Sequence, residues 1–216
     1  VATETDAAAF RQEFGIGDAP LALVLPGSRR SEVARLSEVF GDAVELVARE
    51  HRDLRVVIPA AGAVADAVSA ATQGWRVRPV ILDPRTVSYD PAQSLKRAAF
   101  RAADVALAAS GTVSLELAAS ATPMVIAYRM HWLSFRVIKA MALIDTVTLV
   151  NLVSDTRVVP EFLGPDCVAE KIAAGLRDVM AAPQAQTTAM ALTMLRLGKG
   201  GEAPSARAAR AILQHL

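Results

Sequence analysis

Short, continuously apolar runs alternate with amphipathic segments in this chain, and the alternation limits it to few folds. The clearest runs are LALVL at 21–25, LRVVIPA at 54–60, DVALAA at 104–109 and PMVIAY at 123–128. Runs of this length without polar alternation predict strands that are buried on both faces. Apolar residues at helical spacing lie between them. The sequence therefore predicts an α/β fold, with a parallel sheet covered by helices on both faces.

Weaker patterns complete the predicted architecture. RVRPVILD at 76–83 predicts a third strand despite Pro79, and the β-rich TVTLVNLV at 146–153 predicts another strand. Helices are expected after Ser31, which would cap one of them, and at 6–14, 61–72, 92–102, 113–120, 131–143, 168–180, 184–196 and 204–215. We expect a Rossmann-like domain over residues 1–183 and a C-terminal helical extension over 184–216.

Composition argues against several classes of function. The formal net charge is +1 and aromatic residues make up 5% of the chain, whereas nucleic-acid binding needs basic surfaces or aromatic stacking platforms. Cys167 is the single cysteine, so neither an internal disulfide nor a thiolate zinc cluster can form, and we expect a buried, inert thiol. No segment has the pattern of a signal peptide or the apolar length of a membrane-spanning helix.

The turns that follow the predicted strands are the expected ligand-binding positions. Open parallel sheets bind ligands at the carboxyl ends of their strands, beside the point where the strand order reverses. In this sequence those turns fall at 26–30, 60–62, 83–91, 110–112 and 129–131.

The turn Ser110-Gly111-Thr112 has two interpretations. A small-residue turn before a helix lets a phosphate approach backbone N–H groups at the positive end of the helix. It is equally typical of an ordinary strand–helix turn with Ser110 or Thr112 as N-cap. Glu116 stands one turn later in an otherwise apolar helix. Its carboxylate either accepts hydrogen bonds from both hydroxyls of a ribose or is favoured simply by the helix dipole.

Two arginines, Arg29 and Arg30, follow the first strand in PGSRR, and either suits a phosphate or a solvated surface with Glu32 as ion-pair partner. Arg129 occupies the corresponding position after VIAY, and the lone His131 lacks partners at metal-ligand spacing. The sequence contains no GxGxxG, Walker or GxSxG pattern, which argues against dinucleotide, P-loop and serine-hydrolase sites.

Four motifs together resemble one known family. LVLPGSRRSEV, ALAASGTVSLELA, TPMVIAYRM and VNLV occur in the order and spacing of lipid-A-disaccharide synthases. The resemblance runs from about Ala19 to Gly175 and covers only the second half of such an enzyme.

The resemblance implies an inverting GT-B glycosyltransferase, of which this chain is the UDP-binding, C-terminal domain. Such enzymes transfer a diacylglucosaminyl group from UDP-diacylglucosamine to diacylglucosamine 1-phosphate, without a metal or other cofactor, at the cytoplasmic face of the inner membrane. The catalytic base belongs to the N-terminal domain, so we expect this chain alone to bind UDP without transferring sugar. A homodimer that exchanges C-terminal elements is also implied.

The same resemblance assigns roles to individual residues. It makes Arg29 the group that stabilises the leaving diphosphate and Glu116 the ribose ligand. The amides of Ser110 to Val113 become diphosphate contacts. The assigned UDP-binding set is Ser28, Ser110, Gly111, Thr112, Val113, Glu116, Arg129 and Asn151. In the predicted helix at 131–143, Trp132, Phe135, Arg136 and Lys139 suit either a membrane interface or a charged outer edge.

Two other functions remain open on the residues alone. One is another UDP-sugar enzyme of GT-B shape, such as a GlcNAc transferase or a UDP-GlcNAc epimerase, since SGTxxxE is shared more widely. The other is a nucleotide-binding module without catalysis. GSRxxEV and YRM favour the synthase.

Overall fold

The computed structural model describes residues 2–129, 145–201 and 204–214. Within these residues the chain forms a six-stranded, wholly parallel sheet, which confirms the predicted α/β class. The strands are β1 Leu21–Leu25, β2 Arg55–Pro59, β3 Val80–Leu82, β4 Val105–Ala108, β5 Met124–Tyr128 and β6 Glu161–Leu163.

Helices connect these strands, as parallel pairing requires. They are α1 Glu4–Glu13, α2 Arg30–Ala48, α3 Ala65–Thr72, α4 Tyr89–Ala102, α5 Val113–Ala119, α6 Leu149–Ser154, α7 Ala169–Ala181, α8 Gln184–Arg196 and α9 Pro204–Leu213. Short 3₁₀ helices occur at Gly62–Val64, Pro84–Thr86 and Gly164–Asp166. The predicted helix at 131–143 lies outside the described residues.

The strand order is β3-β2-β1-β4-β5-β6. The chain builds outward from β1 in one direction and then returns to build outward from β4 in the other. The order therefore reverses between β1 and β4, which are directly paired. In doubly wound folds the crevice at this point, outside the carboxyl ends of the strands, receives the ligand.

Both faces of the sheet are buried under helices. In β1, all five residues are buried; Ala22 and Val24 face one apolar core, whereas Leu21, Leu23 and Leu25 face the other. The first core is closed by α2, α3 and α7, and the second by α1, α4, α5 and α8. This two-sided burial explains why the strands read as continuous apolar runs rather than as an alternating pattern.

The prediction of a strand at 146–153 is wrong. Residues Leu149–Ser154 form the helix α6, which ends at Asp155 with a positive φ of 58°. The carboxylate of Glu161 accepts hydrogen bonds from the amides of Val147 and Thr148 at the start of this helix. Tertiary hydrogen bonding thus overrides the β propensity of the threonines and valines. The strand that pairs with β5 is instead β6, at Glu161–Leu163.

Helix α8 packs on the sheet domain through a buried glutamine. The side chain of Gln186, 3% exposed, accepts from the backbone amide of Met124 at 2.8 Å and donates to its carbonyl at 2.9 Å. α8 also contacts α5 and α6. None of the helices in the described ranges is both long and apolar enough to cross a membrane.

Candidate functional site

A cavity of about 760 Å³ opens at the carboxyl edge of the sheet, where the strand order reverses. Its floor is formed by residues at the ends of four neighbouring strands, namely Leu25, Pro59, Leu82 and Ala109. Its walls are the turns after β1, β2, β3 and β4, together with one face of α4 and the start of α5. Four of the five turns expected to bind ligand therefore meet in one cavity, whose volume is typical of small-molecule sites.

The turn after β1 brings Ser28 and Arg29 to this cavity. Gly27 adopts a φ of +120°, a conformation that favours glycine. Glu32, in the first turn of α2, folds back over the turn: its Oε2 accepts from the amides of Ser28 at 2.9 Å and Arg29 at 3.3 Å. Its Oε1 accepts from Nη1 of Arg29 at 2.8 Å. In the sequence an ion pair with Glu32 belonged to the interpretation of the arginines as a solvated surface, and the structure has that pair at Arg29.

Burial and hydrogen bonding act in opposite directions on Glu32. Burial of the carboxyl raises its pKa, but the bonds from the Arg29 guanidinium and from the two amides outweigh this, and the pKa is lowered from its ordinary value. The side chain of Arg29 is 76% exposed and lines the cavity, and its Nη1 is held by Glu32. Arg30 is the first residue of α2 and is exposed.

The turn after β4 contributes Ser110, Gly111, Thr112 and Val113 to the same cavity. Gly111 has a φ of +145° and nothing within 4 Å of the position where a Cβ would stand, so the backbone there is open to a ligand. Thr112 is the N-cap of α5, but within the described part of the chain its side chain makes no capping bond. Because the first amides of a helix lack intrahelical acceptors, this turn presents donors toward the cavity.

Glu116 also lines the cavity, where it meets a residue that the sequence interpretation missed. Nζ of Lys96, on α4, donates to Oε2 of Glu116 at 2.6 Å. The Lys96 ammonium also lies 5.2 Å from the centroid of the Phe100 ring. Lys96 and Glu116 are 20 positions apart on different helices, so no spacing rule pairs them. The sequence signal available for Lys96 is the strong amphipathicity of α4, in which this lysine is half-buried.

The turn after β3 is braced by an exposed ion-pair network. Asp83 Oδ1 accepts from the amide of Arg85 at 2.9 Å, and the Arg85 guanidinium bridges Asp83 and Asp66. These hydrogen bonds from Arg85 lower the pKa of both carboxyls. Asp83 lines the cavity, and beyond it Val87 and Tyr89 form an exposed apolar rim.

Two predicted ligand residues, Arg129 and Asn151, are not among the described residues that line the cavity. Asn151 is 1% exposed; its side chain donates to the carbonyl of Val159 at 2.9 Å and accepts from the amide of Val159 at 3.0 Å. It thus holds α6 against the segment before β6. Arg129 is exposed, and its carbonyl accepts from Arg35. Their roles as UDP contacts stay predictions.

The predicted character of Cys167 agrees with the structure. The thiol is buried at 1% exposure, and burial raises its pKa, with the charge of Arg129 acting weakly in the opposite direction. A protonated, inaccessible thiol is a poor nucleophile. Among residues 2–129, 145–201 and 204–214, no group of three or more histidines, cysteines and carboxylates could hold a metal ion.

The described lining of the cavity combines backbone and side-chain donors, which suit an anion, with carboxylates, which suit hydroxyl groups. Arg29 and Lys96 are its cations, each paired with a carboxylate. A dinucleotide fold places an acidic residue after its second strand to bind ribose, whereas here β2 is followed by Ala60-Ala61-Gly62. Glu116 lies on the opposite side of the switch point, in the helix that follows β4.

Several solved structures share this fold. The chain matches E. coli ADP-heptose heptosyltransferase II with a TM-score of 0.56 and 11% identity, over 85% of this chain and 54% of the other. It matches Anabaena HepE in complex with UDP and glucose with a TM-score of 0.55 and 16% identity, over 90% and 49%. The C-terminal CMP-Kdo binding domain of Acinetobacter baumannii WaaA matches with a TM-score of 0.55 and 12% identity, over 90% and 97%. The chain therefore has the GT-B type of domain fold.

Sequence relatives are closer. A lipid-A-disaccharide synthase of Ruegeria pomeroyi is 58% identical over 215 residues, covering 100% of this chain and 54% of the relative. One of Paramagnetospirillum magneticum is 41% identical over 221 residues, covering 100% and 54%. The chain thus spans about half the length of these curated relatives. The family profile described as lipid-A-disaccharide synthetase matches residues 1–214, and this chain belongs to that family.

Proposed function

We propose that this chain is the UDP-binding half of an inverting glycosyltransferase. The whole enzyme would transfer a diacylglucosaminyl group from UDP-diacylglucosamine to diacylglucosamine 1-phosphate, forming the lipid A disaccharide. The observation that carries the proposal is the switch-point cavity, in which Arg29, the Ser110–Val113 turn and Glu116 meet. The family match favours this enzyme over the other UDP-sugar enzymes that the motifs left open.

In the proposed complex Glu116 receives the ribose. Oε2 of Glu116 accepts from Lys96, and Oε1 has no hydrogen-bond partner among the described residues, which leaves it to accept a ribose hydroxyl. The donor amides at Ser110 to Val113 lie next to it along the chain and suit the diphosphate. The Glu116 carboxylate suits ribose hydroxyls and the Ser110–Val113 amides suit phosphate oxygens. Together they match a nucleoside diphosphate rather than a simple phosphate or a free sugar. UDP bound to Anabaena HepE, which has this fold, supports the choice of nucleotide.

The proposed reaction is a single displacement at the anomeric carbon. The acceptor hydroxyl oxygen forms the new glycosidic bond, the bond from the anomeric carbon to UDP breaks, and its electron pair leaves on the diphosphate. The hydroxyl proton passes to a base that belongs to the enzyme's other half. Arg29 meets the charge that develops on the departing diphosphate, and a fixed cation of this kind acts most strongly in the transition state.

The proposed partners follow from the lipid substrates. The enzyme would work at the cytoplasmic face of the inner membrane, with an N-terminal domain across the cleft and a second copy as a dimer partner. Residues Trp132, Phe135, Arg136 and Lys139, proposed for membrane contact, lie outside the described residues. Sedimentation with anionic vesicles tests this contact: a Trp132/Arg136/Lys139 triple variant that partitions like the wild type would contradict it.

The test compares this chain with the full-length enzyme. The chain is expected to bind UDP in calorimetry and to transfer no sugar when both lipid substrates are supplied, whereas the full-length enzyme transfers. Turnover by the purified chain would contradict the assignment of the base to the other half. A folded chain that binds no UDP would contradict the proposed site.

Arg29 and Arg30 provide a matched pair for the leaving-group role. In the full-length enzyme Arg29→Ala should lower kcat by roughly 100- to 1000-fold, the usual effect of losing one preorganised charge-stabilising group. Arg29→Lys should rescue poorly because an ammonium lacks the guanidinium fork. Arg30→Ala is the control and should be nearly silent. An effect of Arg29→Ala on KM alone would mean ground-state binding instead.

A further inference from the structure

We propose that Glu32 is a built-in anion of the turn after β1. It accepts hydrogen bonds from the backbone amides of Ser28 and Arg29, which would otherwise be available to a ligand's phosphate, and it holds the Arg29 guanidinium. This turn then meets the nucleotide through the Arg29 side chain and not through these two amides. Glu32 is then a positioning residue for Arg29. The inference deepens the proposed function and rests on it for the role of Arg29.

Glu32, at the third position of α2, folds back in a capping box onto the turn where doubly wound folds hold a phosphate. In doubly wound folds the first βα turn holds a phosphate on free amides at the start of the following helix. Here that helix is α2, which is 19 residues long and presents a positive dipole end. The carboxylate oxygen of Glu32 lies 2.9 Å from the amide of Ser28 and 3.3 Å from that of Arg29. The Glu32 carboxylate thus binds the amides of Ser28 and Arg29, as a ligand's phosphate would.

Gly27 is fitted to this carboxylate. A Cβ on Gly27 would stand 2.5 Å from both Cβ and Oε2 of Glu32. In a dinucleotide fingerprint the glycines let the pyrophosphate approach the backbone. In this chain the same kind of close approach is made by the Glu32 side chain, so the glycine serves an internal contact.

The second oxygen of Glu32 positions the arginine. Oε1 accepts from Nη1 of Arg29 at 2.8 Å, while the Glu32 side chain is 13% exposed and the Arg29 side chain 76% exposed. One end of the guanidinium is therefore held by a nearly buried carboxylate. The Arg29 side chain also lines the cavity, where the proposed diphosphate leaves. The lowered pKa of Glu32 agrees with a carboxylate that stays charged in this role.

Amide hydrogen exchange in the full-length protein tests whether Glu32 occupies the turn. The amides of Ser28 and Arg29 should be protected in the wild type and should exchange about tenfold faster or more in Glu32→Ala, since each bond is to a charged acceptor. Saturating UDP should leave the protection of both amides unchanged in the wild type. A change in the protection of either amide on UDP binding would overturn the proposal. Exchange at the wild-type rate in the folded Glu32→Ala variant would overturn it as well.

Steady-state kinetics test the positioning role. Glu32→Gln keeps an acceptor for the amides but turns its NH₂ group toward Arg29, so the guanidinium loses its anchor. It should lower kcat by about 10- to 100-fold with little change in KM, as expected for a displaced catalytic group. Adding Glu32→Gln to Arg29→Ala should lower kcat no further, because both substitutions remove the same interaction between Glu32 and Arg29. Glu38→Gln, an exposed glutamate on the same helix, is the control.

The outcomes separate this inference from the proposed function. If Arg29→Ala leaves kcat unchanged, the leaving-group role is wrong. The hydrogen-exchange experiment still tests whether Glu32 binds the amides of the turn. If Arg29→Ala is impaired but Glu32→Gln matches Glu38→Gln, the positioning role is wrong and the proposed function stands. Additive losses in the double variant would also overturn it. Melting temperatures of each variant show that the folded protein is being compared.

Discussion

Replacing Gly27 with alanine should be far more damaging than replacing Gly111, although both glycines follow a strand at the same cavity. Both have a strongly positive φ, so alanine at either position carries backbone strain of about 1–3 kcal/mol. At Gly111 nothing lies within 4 Å of the added Cβ, and strain is the whole cost. At Gly27 the Cβ also stands 2.5 Å from Cβ of Glu32, an atom that α2 holds in place.

The collision at Gly27 has a calculable consequence. Because Cβ of Glu32 is fixed, the turn itself must move away from α2 and lose its bonds to the Glu32 carboxylate, at least one of which is worth about 1.5–3 kcal/mol because the acceptor is charged. Gly27→Ala should therefore lower the free energy of unfolding by about 3–5 kcal/mol, roughly 2 kcal/mol more than Gly111→Ala. Urea titrations followed by circular dichroism measure both values. Equal losses in the two variants would refute the packing of Gly27 against Glu32.

Three further predictions concern the described contacts. Asn151→Ala should lower the free energy of unfolding by about 2–4 kcal/mol in urea titration, because both polar atoms of Val159 lose a buried partner. Gln186→Leu should cost about 1–3 kcal/mol, since the amide and carbonyl of Met124 are left unsatisfied; thermal melts check this. Because the folded pKa of Glu32 is lowered, its stabilisation is complete above the ordinary value of 4.5 and is lost as the pH falls through the folded value. Glu32→Gln should flatten that acid limb of the stability curve.

The strands could be predicted from the sequence wherever burial on both faces produces a continuous apolar run. The apolar runs at β1, β2, β4 and β5 are long enough to be recognised, and the structure has strands there within one or two residues. β6 is three residues long, between Pro160 and Gly164-Pro165, and has no periodicity to read. Its existence depends on pairing with β5, which is a tertiary fact.

The site could be predicted to the level of turns but not of contacts. The carboxyl-end rule selected the turns that line the cavity, and Ser28, Arg29, Ser110 to Val113 and Glu116 all reach it. The environment of Asn151 could not be predicted, because a strand was expected where α6 forms. In α6 the side-chain amide of Asn151 is hydrogen-bonded to Val159. Lys96 was missed because its partner lies on another helix.

Titration calorimetry with UDP and 2′-deoxy-UDP tests the proposed contact between Glu116 and the ribose of UDP. The wild-type chain should prefer UDP, and Glu116→Ala should lose that preference while binding UDP about tenfold more weakly, the lower end expected for a bond to a half-exposed charge. Glu170→Ala is the matched control, because Glu170 also stands in the first turn of a helix but lies outside the cavity lining. It should keep the wild-type preference. If Glu116→Ala still discriminates between the two nucleotides as the wild type does, Glu116 is only a helix-start carboxylate and the account of this site is wrong.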